Sequence, residues 1–254
     1  MSWYERFSVQ GKKVLLTGAA GGIGHALLTA FLEADAEVFA VTRRADTDWR
    51  NLPLRFGPRF HSVMCDLADP ADVREFALRI DGEFPLDVLI NCASDCPHVE
   101  NGFYDLNLLH KTMAVTLDAA YVLCGELAPK MGERGGGSII NVTTMNAEMA
   151  WPGNPSYIAA KSALRMLTKA VARDYGGKGV RANNLCPGYV RSRLTEASYQ
   201  EPAKFEERRA HTMLGRWGTP DDMVGPCLFL ASDASRYVTA TDLHVEGGWL
   251  AKGM

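Results

Sequence analysis

Three residues in the middle of the chain have side chains that could together move a proton. The helix formers after Pro155 predict a helix, on which Tyr157 and Lys161, four positions apart, share one face. A nearby ammonium favours the phenolate, so we predict that Lys161 lowers the pKa of Tyr157 below its usual value of about 10. Such a tyrosine can exchange a proton with a substrate oxygen, and the Thr144 hydroxyl could hydrogen-bond the same oxygen.

Taken alone, the spacing of this pair has a second interpretation. A tyrosine and a lysine four positions apart occur by chance on many solvated helix faces, and the spacing by itself favours that interpretation. The choice between the two interpretations therefore depends on the secondary-structure elements that position Tyr157 and Lys161.

The composition limits the classes to which the protein can belong. Its 254 residues, 47% hydrophobic and 22% charged, are typical of a globular chain with one large α/β domain or two small ones. The net charge of −3 provides no basic field for nucleic acid. No apolar run approaches a membrane span, and residues 1–10 lack the apolar core of a signal peptide. We expect a cytoplasmic protein without nucleic-acid or membrane partners.

Cysteine usage indicates reduced thiols. The six cysteines are Cys65, Cys92, Cys96, Cys124, Cys186 and Cys227. They are scattered and mostly lie in apolar segments, as small hydrophobic side chains would. Cys92 and Cys96 have His98 nearby, but a C-x-x-x-C spacing without a second pair does not favour a metal site. We predict no bound metal.

A glycine-rich turn follows the first predicted strand, Lys13–Thr17. The turn reads G-A-A-G-G-I-G and leads into a helical stretch. A strand, a glycine turn and a helix N-terminus together place backbone N–H groups against a pyrophosphate. The G-x-x-x-G-x-G spacing matches the common dinucleotide fingerprint only loosely, so a glycine turn without a ligand stays open.

The second predicted strand, Glu37–Thr42, is followed by Arg43 and Arg44. In dinucleotide folds an acidic residue at this place binds the ribose hydroxyls, whereas an arginine accommodates a 2′-phosphate. No carboxylate appears before Asp46. Given a dinucleotide fold, the sequence favours NADP over NAD, and the alternative is a pair of solvated arginines at a strand end.

Strands and helices alternate along the chain. We predict further strands at Phe60–Cys65, Leu86–Asn91, Ser138–Thr143, Val180–Leu185 and Thr241–Val245. We predict the main helices at 25–34, 70–80, 106–130 and from Tyr157 to about Tyr175. This order predicts one domain, residues 1–254, with a Rossmann-type α/β fold: a doubly wound parallel sheet of about seven strands with helices on both faces. Ligands of such sheets bind at the carboxyl ends of the strands, where these motifs converge.

Residues 189–214, which we call the lid segment, fit the alternation poorly. The segment is polar, helical in part, and mixes arginines with glutamates. Because it follows the carboxyl end of a strand, we predict a substrate lid. A solvated helical excursion is the alternative.

The assembled motifs resemble those of the classical short-chain dehydrogenase/reductase family over nearly the whole chain. The matching segments are T-G-A-A-G-G-I-G at 17–24, Asp66-Leu67, N-C-A at 91–93, Tyr157-x-x-x-Lys161 and P-G-Y-V-R-S at 187–192. The C-terminal segments G-R-W-G-T-P-D-D-M and V-E-G-G-W are similar to members that act on sugar acids and polyols, the gluconate 5-dehydrogenases among them.

The resemblance implies a role for each matching residue. Tyr157 would be the catalytic acid/base and would also contact the cofactor, Lys161 would hold the nicotinamide ribose, and Thr144 would replace the family's catalytic serine. Thr116 aligns with an asparagine that holds a water of the family's proton relay. The cofactor would be bound by Gly18, Gly22, Ile23 and Gly24 at the pyrophosphate, Arg43 at the 2′-phosphate, Asp66 and Leu67 at the adenine, Asn91 and Ala93 at the adenosine ribose, and Pro187, Gly188, Val190 and Ser192 at the nicotinamide.

The sequence therefore predicts an NADP-dependent oxidoreductase that moves hydride between the nicotinamide and a secondary alcohol or ketone. Polar side chains expected near Tyr157 suit a small-molecule substrate such as a sugar, sugar acid or polyol. These side chains are Asn146, Glu148, Trp151, Asn154, Asp95 and His98.

Two other functions and an assembly state remain as expectations. A 3-oxoacyl-thioester reductase is the enzymatic alternative. The changes at Thr116 and Thr144 leave open a sensor or scaffold that binds the cofactor with little turnover. The resemblance also implies a homo-oligomer, commonly a tetramer, with a symmetric contact through the helices at 106–130 and 156–175.

Overall fold

Seven parallel strands form one sheet in the computed structural model, which describes residues 2–49, 51–96, 105–149 and 152–252. The strands are β1 (Lys13–Thr17), β2 (Glu37–Thr42), β3 (Phe60–Met64), β4 (Val88–Asn91), β5 (Gly137–Val142), β6 (Val180–Pro187) and β7 (Asp242–Val245). Their order in the sheet is β3-β2-β1-β4-β5-β6-β7, and each neighbouring pair is parallel. The predicted doubly wound sheet is confirmed, and the strand ends agree with the prediction to within two residues.

Helices connect the strands. They are α1 (Gly22–Glu33), α2 (Leu52–Phe56), α3 (Pro70–Glu83), α4 (Leu106–Met113), α5 (Ala119–Glu133), α6 (Pro155–Tyr175), α7 (Glu196–Gln200), α8 (Pro202–His211), α9 (Val224–Ala231) and α10 (Trp249–Lys252). Helix α1 begins inside the glycine turn, three residues before the predicted start. Helix α9 is apolar almost all round, so the sequence shows no helical period there. None of the helices in the described part of the chain has the length and apolar character of a bilayer span.

The two faces of the sheet each carry a hydrophobic core. On β1, Val14 and Leu16 join a cluster with side chains of α1 and α9, whereas Leu15 joins a second cluster with α3, α5 and α6. Alternate side chains of a strand point to opposite faces, so a strand buried on both sides reads as a continuous apolar run. The helices therefore cover both faces of the sheet.

The predicted helix over 106–130 is interrupted. A π-helical turn, Ala114–Asp118, separates α4 from α5 and carries Thr116. The buried Thr116 hydroxyl lies 3.1 Å from the Ser94 hydroxyl and accepts the backbone N–H of Asp95 at 3.3 Å. Such turns widen a helix locally and often occur at functional sites. Here the turn ties the helix to the loop after β4.

A row of buried polar side chains crosses the sheet from β4 to β7. We call Asn91, Asn141, Thr168, Asn184 and Asp242 the polar row. Each amide donates to the next member: Asn91 to Asn141 at 2.8 Å, Asn141 to the Thr168 hydroxyl at 2.8 Å, and Asn184 to Asp242 at 2.7 Å. The Thr168 hydroxyl donates to the side-chain amide oxygen of Asn184 at 2.6 Å. The row provides hydrogen-bond partners for most of its buried polar atoms, although the Asn91 side-chain oxygen has none in the described structure.

Candidate active site

Tyr157 and Lys161 lie in the first two turns of α6, beside the carboxyl end of β5. Proline at the first position, Pro155, is well suited to start the helix. Lys161 is 2% exposed, and its ammonium donates to the Val142 carbonyl oxygen at 2.5 Å. Its Nζ lies 5.8 Å from the centroid of the half-buried Tyr157 ring. The strand end and the helix thus hold the lysine next to the phenol.

The pKa of Tyr157 is raised above its usual value, so the predicted lowering by Lys161 is wrong. Burial is the main cause, because removal from water disfavours the phenolate, and Cys96 adds to the rise. A hydrogen bond with Thr144 opposes it. Lys161 is itself buried, which lowers its pKa to about 8 and weakens its positive charge near that pH. The helical spacing correctly predicts that the two groups are neighbours. The sign of the pKa shift of Tyr157 depends instead on how deeply the phenol is buried.

Thr144 brings a second hydroxyl to the same place. It lies two residues beyond β5, is 7% exposed, and caps a short 3-10 turn by accepting the backbone N–H of Asn146 at 3.2 Å. Its side chain is close enough to the Tyr157 hydroxyl to lower the pKa of that phenol. Two hydroxyls at one point can both contact the oxygen of a substrate carbonyl or alcohol, and the tyrosine can exchange a proton with it.

The glycine turn packs directly on the end of β4. The Thr17 hydroxyl accepts the backbone N–H groups of Cys92 and Ala93, each at 3.1 Å. Gly18 has a φ of +70°, and a Cβ there would lie 2.7 Å from the Ala93 nitrogen. A Cβ on Gly24 would lie 2.1 Å from the Gly18 carbonyl oxygen. Only glycine fits these two positions, and the turn leaves room for a ligand at the N-terminus of α1.

The segment after β6 covers the other side of that turn. A Cβ on Gly22 would meet the Ser192 side chain at 3.0 Å, so the two segments are in contact. Ile23 packs against the first hydrophobic core. The four residues expected at the nicotinamide, Pro187, Gly188, Val190 and Ser192, all belong to β6 or this segment.

A cavity of about 560 Å³ opens between the glycine turn and the ends of β2 and β3. Its lining includes five residues expected to bind the cofactor: Gly18, Arg43, Asp66, Leu67 and Ala93. Arg44 and Arg193 line it as well. Neither arginine was predicted from the sequence to bind the cofactor. Arg193 directly follows the P-G-Y-V-R-S segment, and that position is the signal that could have indicated it.

The cavity lining is suited to phosphate groups. Within the described residues, none of Arg43, Arg44 and Arg193 forms an ion pair with a carboxylate. Asp46 and Asp48 line the same cavity, so its charge is mixed. Unpaired arginines beside a glycine cradle are the donor set that a dinucleotide phosphate requires. The residues present therefore fit a nicotinamide dinucleotide, including one with an additional phosphate.

Asn91 is placed away from this cavity. It is 4% exposed, and its amide donates into the polar row. The expected contact of Asn91 with the adenosine ribose stays a prediction, and its side chain points into the sheet. Its role is to hold β4 in place next to β5, and any contact with a nucleotide would come from its backbone.

Three of the polar side chains expected around the substrate differ in whether the protein already provides them with partners. Glu148 forms an ion pair with Arg165 at 2.5 Å and lies 3.5 Å from His244, so it already has partners within the protein. Asn146 and Asn154 each have a buried side-chain oxygen without a hydrogen-bond partner in the described structure. Such oxygens are costly unless a ligand or water supplies a donor.

The thiols near the site are protonated. Burial raises the pKa of both Cys92 and Cys96 to about 11, and the positive charge of Lys161 only partly opposes this. All six cysteines are free. The described residues contain no group of three potential metal ligands, and His98, like Trp151, lies outside them.

Comparison with known proteins identifies relatives over almost the full length. Residues 18–250 match the family model described as Enoyl-(Acyl carrier protein) reductase. The chain is 31% identical over 252 residues to the 2-dehydro-3-deoxy-D-gluconate 5-dehydrogenase of Pseudoalteromonas atlantica, covering 98% of this chain and 99% of that one. It is also 31% identical over 251 residues to the gluconate 5-dehydrogenase of Gluconobacter oxydans, with 98% of each chain covered.

A solved structure shares the whole fold. The crystal structure of a gluconate 5-dehydrogenase from Burkholderia cenocepacia, in complex with NADP and tartrate, superposes with a TM-score of 0.91 at 32% identity. The match covers 97% of this chain and 98% of that chain. The chain therefore belongs to the short-chain dehydrogenase/reductase family, the NAD(P)-dependent oxidoreductases that act on CH–OH groups.

Proposed function

We propose that this protein is an NADP-dependent oxidoreductase for a secondary alcohol or ketone of a sugar acid, sugar or polyol. The proposal rests on one observation: Thr144, Tyr157 and Lys161 lie together at the edge of the sheet formed by the carboxyl ends of the strands. The glycine turn lies at the same edge. NADP, when bound, supplies or accepts the hydride. The protein supplies the proton and holds the reacting oxygen.

Each residue of the site has a distinct task in this proposal. Tyr157 gives its proton to the ketone oxygen during reduction and removes it from the alcohol during oxidation. Thr144 holds that oxygen, and Lys161, anchored on the Val142 carbonyl, orients the nicotinamide ribose. Since the Thr116 hydroxyl is already engaged by the loop after β4, we assign it to positioning that loop.

The remaining cofactor contacts follow from the cavity and the glycine turn. The N-terminus of α1, with Gly22, Ile23 and Gly24, would hold the pyrophosphate. Asp66 and Leu67 line the cavity where the adenine would lie. The segment after β6 would cover the nicotinamide, because it contacts the glycine turn from the opposite side.

The substrate class is supported by the site and by the relatives. The unpaired oxygens of Asn146 and Asn154 suit a ligand with several hydroxyl groups. Two of the relatives are named as dehydrogenases of gluconate or a deoxygluconate, and the solved relative holds tartrate, a hydroxylated acid. The enzymatic alternative is a 3-oxoacyl-thioester reductase, which would need an apolar channel for the acyl chain.

We further propose that the chain is a single domain that works in the cytoplasm as a homotetramer. Free thiols suit a reducing compartment. Leu106, Tyr121 and Met166 are each more than 60% exposed and lie on α4, α5 and α6, the helices expected to form a symmetric contact. The lid segment, with α7 and α8, would close over the substrate.

The proposed function is tested by turnover. Purified protein with NADP should oxidise gluconate-type acids or polyols and form NADPH, and a parallel assay with NADPH and 3-oxoacyl thioesters should show no consumption of NADPH. Both dinucleotides should also be compared by thermal shift, since a ligand that binds only the folded state raises the unfolding midpoint. Binding without turnover on any substrate would favour the sensor or scaffold, and turnover of the thioesters alone would favour the acyl reductase.

Cofactor choice is expected to depend on Arg43, which the described structure leaves unpaired at the cavity mouth. Hydrogen bonds to charged groups contribute about 1.5–3 kcal/mol, so Arg43→Ala should weaken NADPH binding by roughly 10- to 150-fold. NADH binding should change by less than about threefold, because NADH lacks the phosphate that this arginine would pair. The dissociation constants can be measured by nicotinamide fluorescence.

The control for this change is Arg55→Ala. Arg55 is an exposed arginine in α2 that pairs with Glu33 at 2.6 Å, so its removal alters the net charge equally without altering the cavity. Equal losses of NADPH and NADH binding in Arg43→Ala would contradict the preference for NADP.

The raised pKa of Tyr157 predicts different pH profiles for the two directions. Because the folded-state pKa lies above the usual value, the phenol stays protonated through neutral pH and loses its proton only in strongly alkaline solution. Ketone reduction uses the phenol and should vary little between about pH 6 and 7, below the pKa of Lys161, whereas alcohol oxidation uses the phenolate and should accelerate as pH rises. Initial rates in both directions check this, and oxidation that slows with rising pH would contradict it.

A further inference from the structure

One arginine of the lid segment is buried, unlike two arginines that lie near it in sequence. Arg191 and Arg209 have side chains 51% and 42% exposed, and they pair with Glu196 and Glu206. Arg208, on α8, is 9% exposed. In the described part of the chain no carboxylate forms an ion pair with it, and its Nε has no hydrogen-bond partner. A buried cation without a counter-charge is strongly unfavourable.

Aromatic rings provide only part of the compensation. The guanidinium carbon of Arg208 lies 4.4 Å from the centroid of the Tyr189 ring and 5.7 Å from that of Trp217. Trp249 packs against Tyr189 with ring centroids 4.9 Å apart. Stacked rings attract a cation through their quadrupole, but they carry no net charge. The rings therefore position the guanidinium and leave its charge to be balanced by an anion.

Arg208 stacks on Tyr189, which follows β6 at the same edge of the sheet where Thr144 follows the neighbouring parallel strand β5. Tyr189 follows the end of β6, and its hydroxyl is close enough to Tyr157 to contribute to the raised pKa of that residue. Cys96 lies near both tyrosines. The positive charge of Arg208 and a hydrogen bond from its guanidinium both oppose the rise that burial causes in the pKa of Tyr189. Neither Tyr189 nor Arg208 lines the arginine-rich cavity in which the dinucleotide would lie.

We propose that Arg208 binds the carboxylate of a hydroxylated acid and thereby makes the enzyme prefer acids over neutral polyols. The inference rests on the proposed function and names its substrate class. A guanidinium presents paired N–H donors in a fork that matches the two oxygens of a carboxylate. With the carboxylate held at Arg208, a hydroxyl further along the substrate would reach Tyr157 and Thr144.

The test compares Arg208→Met with the unchanged enzyme on D-gluconate and on sorbitol, with NADP. Methionine keeps an unbranched stem against the rings and removes the charge. Truncating one partner of a buried charge pair is costly, so kcat/KM for gluconate should fall by about 100-fold or more, mainly through KM. For sorbitol it should change by less than about threefold, because sorbitol has no carboxylate to lose. Arg208→Lys keeps the charge without the fork, and a loss between these values is expected.

The matched control is Arg209→Gln. It removes the same charge from the next position of α8, where the side chain is exposed, and both substrates should keep their kcat/KM. A similar fall for gluconate and sorbitol in Arg208→Met would show a purely structural arginine and would overturn the proposal. An unchanged ratio between the two substrates would overturn it as well.

A binding measurement separates this inference from the proposed function. In the presence of NADP, tartrate or gluconate should raise the unfolding midpoint of the unchanged protein and of Arg209→Gln, but not of Arg208→Met. Equal shifts in all three proteins would overturn the role of Arg208. Absence of turnover in the unchanged protein would count against the oxidoreductase instead, while the thermal shifts would still decide whether Arg208 binds the acid.

Discussion

Replacing Tyr157 by phenylalanine is expected to lower kcat by about 10²- to 10⁴-fold, the range that general acid–base catalysis contributes. The change removes only the hydroxyl that would transfer the proton, while the ring and the neighbouring Lys161 remain in place. NADP affinity should therefore stay within about threefold, since no other contact of the site is lost. Initial rates of NADPH formation with the best substrate of the panel, together with fluorescence titration of the cofactor, measure both quantities.

The control is a second tyrosine. Tyr121 on α5 is 63% exposed and lies outside the proposed site, so Tyr121→Phe should leave kcat unchanged. Thr144→Ser should keep most of the activity because the hydroxyl remains, whereas Thr144→Val should lose it. An unaltered rate in Tyr157→Phe would favour a protein that binds the cofactor without using it.

Gly24→Ala is expected to weaken NADP binding by about 100-fold or more. The added Cβ would lie 2.1 Å from the Gly18 carbonyl oxygen, closer than any real contact, so the turn must move. Displacing the turn would remove backbone N–H contacts with the pyrophosphate, each worth about 1.5–3 kcal/mol to a charged acceptor. The same crowding should lower the free energy of unfolding by about 1–3 kcal/mol. Titration with NADP and chemical denaturation give the two numbers.

Gly82→Ala provides the comparison. Gly82 lies in α3, and an added Cβ there would meet nothing within 4 Å. Alanine is the better helix former by about 0.5–1 kcal/mol, so this variant should be as stable as the parent or slightly more stable, with unchanged affinity for NADP. Parental NADP affinity in Gly24→Ala would show that the turn does not cradle the phosphates.

The sheet could be predicted from the sequence because its signals are local. The apolar runs of β1 and β2 are short and bounded by turn residues, and both strands have their predicted ends. The neighbourhood of Tyr157 and Lys161 follows from helical spacing alone. These patterns depend on residues close together in the chain, which is why they could be read without coordinates.

The features that could not be predicted depend on burial and on contacts distant in sequence. The sign of the Tyr157 shift depends on how far the phenol is removed from water. The side chain of Asn91 donates to Asn141 because Asn141 lies opposite it in the sheet. The sequence does not distinguish Arg208 from the exposed arginines near it, because its burial depends on the packing of Tyr189 and Trp217 around it.

The polar row has a consequence for how the sheet can come apart. Asn91, Asn141, Asn184 and Asp242 face one another in register on four successive strands. Slipping one strand by a single residue would turn its polar side chain to the opposite face and leave its neighbours without partners. We therefore expect strands β4 to β7 to open as one cooperative unit. The half of the sheet next to the proposed proton chemistry should therefore resist strand slippage more than β1, β2 and β3, which lie outside the row.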